Sequence, residues 1–143
     1  MTLLTLRWDV VTFTLAGMAL TILALWPLLR LLPSHLQLDP ALAWLAVPAA
    51  VGEEALFRLL PMSFLGWPGL LLGTVVWALI HWPNGPRSGV LTTLFYAPVF
   101  YFLWTAGLGK EAIAVHAICN LIAISAYYLE YARFSDRRTR KAE

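Results

Sequence analysis

Residues 10–32 read VVTFTLAGMALTILALWPLLRLL, a run of 23 residues whose single charge, Arg30, lies close to its end. A helix needs about 20 apolar residues to cross the hydrocarbon core of a bilayer, so this stretch is long enough to span one. It is also much longer than the apolar core of a secretory signal peptide, about 7–15 residues. No clear small-x-small cleavage site follows it. We therefore interpret it as a retained membrane anchor.

Four further apolar stretches follow, each reaching or nearly reaching spanning length. Together with the first stretch they predict helices over residues 9–32, 40–64, 68–82, 89–106 and 110–132. The joints between them are rich in proline, glycine and other turn-forming residues. The stretches are continuously apolar rather than alternating, which favours helices over a membrane β-barrel. The sequence thus predicts an all-α fold, a polytopic transmembrane bundle of about five helices.

The composition supports a membrane protein. Of 143 residues, 60% are hydrophobic and 13% charged, and the mean hydropathy is +0.72. A water-soluble chain this short would expose much of that apolar surface and aggregate. The length predicts a single domain, which we assign to residues 1–132. Cys119 is the one cysteine of the chain, so an internal disulfide is excluded.

A basic segment, residues 133–143, follows the last predicted helix. Its basic residues are Arg133, Arg137, Arg138, Arg140 and Lys141. Such a cluster beside a membrane span normally stays cytoplasmic, which predicts a cytoplasmic C-terminus and, with five spans, an external N-terminus. As the location we expect a prokaryotic cytoplasmic membrane. We expect this segment to lie near anionic lipid head groups rather than to bind nucleic acid. The oligomeric state is left open.

Three charged residues interrupt the second predicted helix: Glu53, Glu54 and Arg58. Each would cost about 2.5–3.5 kcal/mol at the centre of a span, so they must face the bundle interior, pair or line a wet cavity. Glu54 and Arg58 are four residues apart, within ion-pair reach on one helix face. Glu53 has no partner on its own helix, so it is the candidate general base.

Two later segments add side chains that can carry protons or donate hydrogen bonds. His81 ends the third helix, and His116 and Asn120 share one face of the last. Taken singly, each has a plainer reading: a buried ion pair joining helices, an interfacial histidine, and an asparagine linking helices. Trp77, four residues before His81, is read as packing. Together, a carboxylate, two imidazoles and a carboxamide on three helices of one small bundle indicate a functional site.

Three segments then resemble a known family. Residues 53–58, EEALFR, resemble the E-E-x-x-x-R motif of the CAAX-protease and bacteriocin-processing (CPBP or Abi) family of intramembrane endopeptidases. Residues 77–81, WALIH, are similar to its F-x-x-x-H motif, with tryptophan in place of phenylalanine. Residues 116–120, HAICN, match its H-x-x-x-N motif. The order and the spacing of the motifs agree. The resemblance covers about residues 45–132 and implies that this range is a four-helix catalytic core.

The resemblance implies hydrolysis of a peptide bond by glutamate-activated water, without a covalent intermediate, near the cytoplasmic membrane face. The substrate would be a membrane-associated peptide or protein. Carried over to this chain, the catalytic residues are Glu53 and His81, which hold and deprotonate the water, and His116 and Asn120, which donate hydrogen bonds to the oxyanion. Glu54 and Arg58 would support the site structurally.

Other readings stay open. Glu53, His81 and His116 could ligate a divalent metal such as zinc, but no H-E-x-x-H pair is present, and the resemblance favours a site without a cofactor. The chain could also be a non-catalytic family member that acts in bacteriocin immunity by binding a partner. A proton or ion pathway would need polar residues spread along the membrane depth. Counted from the predicted helix ends, His116 lies deeper in the membrane than Glu53 and His81. The sequence does not explain how residues at different depths would form one site.

Overall fold

The computed structural model describes residues 6–32 and 44–139, with side chains as far as residue 125. Its α-helices are α1 (Trp8–Leu29), α2 (Ala46–Glu54), α3 (Leu60–Leu65), α4 (Trp67–Ile80), α5 (Pro86–Leu91), α6 (Ala97–Thr105) and α7 (Gly109–Thr139). The π-helical turn Ala55–Leu59 joins α2 to α3, and a second, Thr92–Tyr96, joins α5 to α6. Within the described ranges there is no strand, and the segments form five continuous helical rods. The predicted all-α fold is confirmed.

The ends of the helices differ from the prediction. The helix predicted from residue 40 is α-helical from Ala46, and residues 40–43 lie outside the described ranges. Pro48 falls in the first turn of α2, where its missing N–H leaves no helical hydrogen bond unmade. The helix predicted over 110–132 continues as α7 to Thr139, because neither glycine nor proline follows Gly109 to end it.

A tight hairpin connects α3 to α4. Gly66 makes the turn with a φ of 63°, a backbone conformation that glycine adopts without a steric cost. Gly69 and Gly73 then bring α4 against the preceding rod, because a Cβ on either would overlap the carbonyl oxygen of Pro61 or of Phe57. This close approach holds the middle of α4 against the π-helical turn Ala55–Leu59, which follows Glu53 and Glu54 at the end of α2.

The surface of the bundle is apolar. Two helical segments, Trp8–Leu29 and Pro86–Thr105, are long and apolar enough to cross a membrane by length and composition. Large apolar side chains lie exposed on the outside, among them Phe13 at 82% and Phe64 at 78%. Lipid is the surrounding in which such a surface is stable.

Helix α1 packs along α7 and is tied to the bundle at both ends. At its start, the backbone N–H of Arg7 donates to Glu111 Oε1 at 3.0 Å. At its end, Arg87 donates through Nε to the Leu29 carbonyl at 3.0 Å and through Nη2 to the Leu32 carbonyl at 2.8 Å. The last carbonyls of a helix have no partner within it, so Arg87 serves as a cap supplied by another rod.

Candidate active site

A cavity of about 320 Å³ lies between α2, α4, the α5–α6 rod and α7. Its wall includes all four side chains predicted to be catalytic: Glu53, His81, His116 and Asn120. They come from three rods that are separate in sequence. Glu54 and Arg58 do not line the cavity and are fully buried behind it.

Glu53 reaches the cavity from the last turn of α2, with 29% of its side chain exposed. Its Oε2 accepts a hydrogen bond from the indole nitrogen of Trp77 at 2.5 Å. His116 Nε2 lies 3.5 Å from the same oxygen, within ion-pair range and long for a hydrogen bond. Glu53 therefore lacks a partner on its own helix, as the sequence suggests, but has neighbours on α4 and α7.

Glu54 is the most connected carboxylate of the site. Its Oε1 lies 3.1 Å from Nη1 of Arg58 and 2.7 Å from Nδ1 of His116, and its Oε2 accepts from Trp104 Nε1 at 2.6 Å. The four-residue spacing thus does bring Glu54 and Arg58 together. His116 and Trp104 are two further partners, on other rods, that the spacing does not indicate.

Arg58 contacts Glu54 by distance rather than by well-directed hydrogen bonds. Among the residues described, none of its guanidinium nitrogens makes a hydrogen bond of good geometry. The flat face of the guanidinium instead lies over Trp77, 4.1 Å from the ring centroid, and near Phe100 at 5.4 Å. We therefore treat the Arg58 contact as an ion pair supplemented by cation–π attraction.

His116 bridges the two glutamates. Because a carboxylate paired with arginine accepts hydrogen bonds and does not donate them, Nδ1 of His116 must carry a hydrogen toward Glu54. This contact fixes the ring and points Nε2 at Glu53. The imidazole also stacks on Phe100, with centroids 4.8 Å apart. A side chain held on both edges and one face has little freedom to change its orientation.

His81 and Asn120 lie towards the end of the bundle where α2 begins. Nδ1 of His81 is 2.8 Å from the carbonyl oxygen of Trp77. A carbonyl only accepts, so Nδ1 carries the hydrogen and Nε2 of a neutral His81 is left as an acceptor. Asn120 donates through Nδ2 to the Ala46 carbonyl at 3.3 Å. An amide nitrogen carries two hydrogens, and the second remains for another acceptor.

The depth of His116 is resolved by how the rods pair. Helix α7 packs along α2 with Asn120 beside Ala46, the first residue of α2. His116 then falls beside Glu53 and Glu54, about 10 Å further along α2 at 1.5 Å per residue. The late start of α2 and the stagger of α7 bring together side chains that appear far apart when depth is counted from predicted helix ends.

The family profile described as type II CAAX prenyl endopeptidase Rce1-like matches residues 35–122 of the chain. The chain belongs to this family. The comparisons with curated proteins and with solved structures gave no match. The matched range contains all three motifs, so the family resemblance inferred from them is confirmed. The Rce1-like family is membrane-embedded and consists of proteases. At the level of the family, this chain is therefore a CAAX-type membrane endopeptidase.

Two tryptophans of this Rce1-like chain were not predicted to have polar roles. From the sequence, Trp77 is expected only to pack, and Trp104 has no expected role. In the structure their indole N–H groups donate to Glu53 and Glu54, respectively. An indole N–H buried in an apolar surrounding needs an acceptor. That rule could have flagged both residues, although it could not have said which acceptor each one finds.

For this Rce1-like chain, the alternative reading of the site is a divalent metal ion held by Glu53, His81 and His116. Over the ranges described, no three His, Cys, Asp or Glu side chains are grouped so that they could hold a metal ion. Glu53, His81 and His116 share the cavity wall, but only Glu53 and His116 lie within ion-pair distance of each other.

Proposed function

We propose that the chain hydrolyses a peptide bond in a membrane-associated substrate, using a water molecule that Glu53 activates. The observation that carries this proposal is the shared cavity: a carboxylate, two imidazoles and a carboxamide from three rods line one space of about 320 Å³. A proton or ion pathway would call for polar groups distributed along the rods. Here the groups of all three motifs surround a single cavity.

The chemistry follows from the hydrogen positions. Glu53 takes a proton from the water while the water oxygen attacks the carbonyl carbon of the substrate. Nε2 of His81 accepts a hydrogen bond from the same water and orients it. The second Nδ2 hydrogen of Asn120 and the Nε2–H of His116 donate to the oxygen that becomes negative. Glu53 then gives its proton to the leaving amine, which restores the carboxylate as the carbon–nitrogen bond breaks.

Electrostatics favour this sequence of steps. Both ring nitrogens of His116 face a carboxylate oxygen, Nδ1 that of Glu54 and Nε2 that of Glu53, so we assign a hydrogen to each. Arg58 and His116 then balance the charges of the two glutamates. When Glu53 takes the proton, the cluster of four gains a net positive charge just as the substrate oxygen becomes negative. In a site with little water such a change stabilises the transition state strongly.

The cavity lies towards one end of the bundle. Leu45, Asn84 and Ser88 are part of its wall, and they lie where α2 begins and where α4 ends. Helix α7 runs towards the same end, passing His116 and then Asn120, and continues into the basic segment. By the positive-inside rule this is the cytoplasmic end, so we propose that cleavage takes place near the cytoplasmic membrane face.

The test uses purified protein in liposomes and quenched fluorescent peptides that end in a CAAX sequence, with and without a farnesyl group on the cysteine. We expect wild type to cleave at least one of them. Glu53→Gln keeps the acceptor for Trp77 but removes the basicity, and should lower the rate by at least about 10²–10⁴-fold. Its thermal stability should stay close to that of wild type, because the side chain is partly exposed and the amide oxygen still accepts from Trp77. Asp9→Asn, at an exposed carboxylate, is the matched control.

Two outcomes would reject the proposal. One is a wild-type protein that cuts neither peptide. The other is a Glu53→Gln protein that cuts at nearly the wild-type rate, because water activation by this carboxylate would then be unnecessary. The first result would favour a protein that binds its partner in the membrane without cleaving it. The second would leave cleavage in place and assign the activation of water to another group.

A further inference from the structure

The indole of Trp77 is held unusually firmly for a side chain in an apolar helix. It is 2% exposed and contacts four neighbouring groups: Arg58 over its face at 4.1 Å, His81 at 4.6 Å, His116 at 5.3 Å and Phe100 at 5.7 Å between centroids. His81 lies at the end of Trp77's own helix, and three other rods supply the remaining neighbours. The direction of its N–H bond is therefore fixed by packing and does not depend on Glu53.

The N–H group of Trp77 donates a hydrogen bond to one particular oxygen of Glu53. An indole nitrogen can only donate, and Trp77 Nε1 donates to Oε2 at 2.5 Å. His116 Nε2 approaches the same oxygen, at 3.5 Å. Within the described part of the chain, Oε1 of Glu53 has no hydrogen-bond partner. The two carboxylate oxygens are thus unequal, since one is held by the protein and the other remains for a ligand in the cavity.

We propose that Trp77 is a positioning residue for Glu53: its N–H holds Oε2, so that Oε1 is the oxygen that meets the water. This inference rests on the proposed function. A glutamate side chain has three rotatable bonds, and one without an anchor would spend only part of its time directed at the water. The close approach of α4 at Gly69 and Gly73 is what brings the donor within reach.

Two replacements isolate the N–H group. Trp77→Phe keeps an aromatic ring but removes the donor, and β-(3-benzothienyl)alanine at position 77 keeps the indole shape with sulfur in place of N–H. We expect both to lower kcat about tenfold to hundredfold, because hydrogen bonds to charged groups are among the stronger ones. KM should change less than about twofold, since Trp77 acts on the base and not on the bound substrate. The benzothienyl variant should unfold at the wild-type temperature.

Trp67→Phe is the matched control, because Trp67 begins the same helix and is half exposed; it should leave kcat unchanged. Glu53→Gln is measured beside it on the same CAAX peptides. A benzothienyl variant with wild-type kcat, next to an inactive Glu53→Gln, would overturn the positioning role and leave the proposed function intact. An active Glu53→Gln would overturn both. A change confined to KM would also reject positioning, since it would assign Trp77 to substrate binding.

Discussion

Glu54→Gln is the substitution whose effect on stability the structure defines best. Glutamine has the shape of glutamate but only one acceptor oxygen, whereas the two oxygens of Glu54 face Arg58, His116 and Trp104. In either orientation of the glutamine amide, its NH₂ group faces a hydrogen-bond donor of one of these three side chains. The substitution also leaves the Arg58 charge without its counter-ion in a place with no solvent access.

The magnitude follows from that burial. Removing one partner of a buried ion pair costs about 3–5 kcal/mol, and a chain of this size loses about 2–4 °C of unfolding temperature per kcal/mol. We therefore expect the midpoint temperature of thermal unfolding of Glu54→Gln to lie about 6–20 °C below that of wild type. Activity should be lost as well, because His116 loses the acceptor that orients it. Far-UV circular dichroism during heating in one detergent measures the midpoint.

The same chain offers an internal control. Asp9 forms an ion pair with Arg7 at 2.9 Å, but both side chains are exposed, and such pairs contribute little. Asp9→Asn should therefore leave the midpoint almost unchanged. Adding Arg58→Met to Glu54→Gln should recover part of the loss, because the orphaned charge is then gone. A Glu54→Gln protein as stable as Asp9→Asn would refute the reasoning, and one that is stable but inactive would make Glu54 a catalytic group.

Two further predictions concern packing and metal dependence. Gly73→Ala should lower both the midpoint of thermal unfolding and kcat, because its Cβ overlaps the Phe57 carbonyl and overpacking costs about 1–3 kcal/mol. Gly52→Ala is the control, because a Cβ there meets nothing within 4 Å, and it should hold or raise the midpoint. Equal midpoints for the two variants would contradict this prediction. Exhaustive treatment with a metal chelator should leave peptide cleavage intact, whereas activity lost to the chelator and restored by one specific ion would reassign Glu53, His81 and His116 as ligands.

The location of the helices could be predicted from sequence because it is a local property: a long apolar run is a span wherever its neighbours lie. Which side chains meet is not local. His116 was expected to lie deeper than Glu53, since depth was counted from helix ends, and only the stagger of α7 along α2, with Asn120 beside Ala46, brings them together.

The donors to the glutamates were missed for a related reason. Trp104 lies fifty residues from Glu54 in the chain, and nothing in the residues around it points to a carboxylate. Trp77 is the first residue of the second motif. Its ring packs against neighbouring side chains while its N–H donates a hydrogen bond, and an apolar stretch predicts only the packing. The close approach of α4 at Gly73 was also not predicted, because it depends on which carbonyl lies opposite.

The π turn Ala55–Leu59 has a consequence for insertions and deletions. Such a turn contains one residue more than an α-helical turn, and each α-helical residue rotates the next by about 100°. Shortening this turn by one residue would restore regular helix and rotate both glutamates by about 100° relative to α3, which packs on α4. Leu56 and Leu59 are 55% and 53% exposed, so their identity matters little to the site. Apart from Arg58, what the site requires of this turn is its residue count. The turn should therefore tolerate substitutions at its exposed positions but not a change in length.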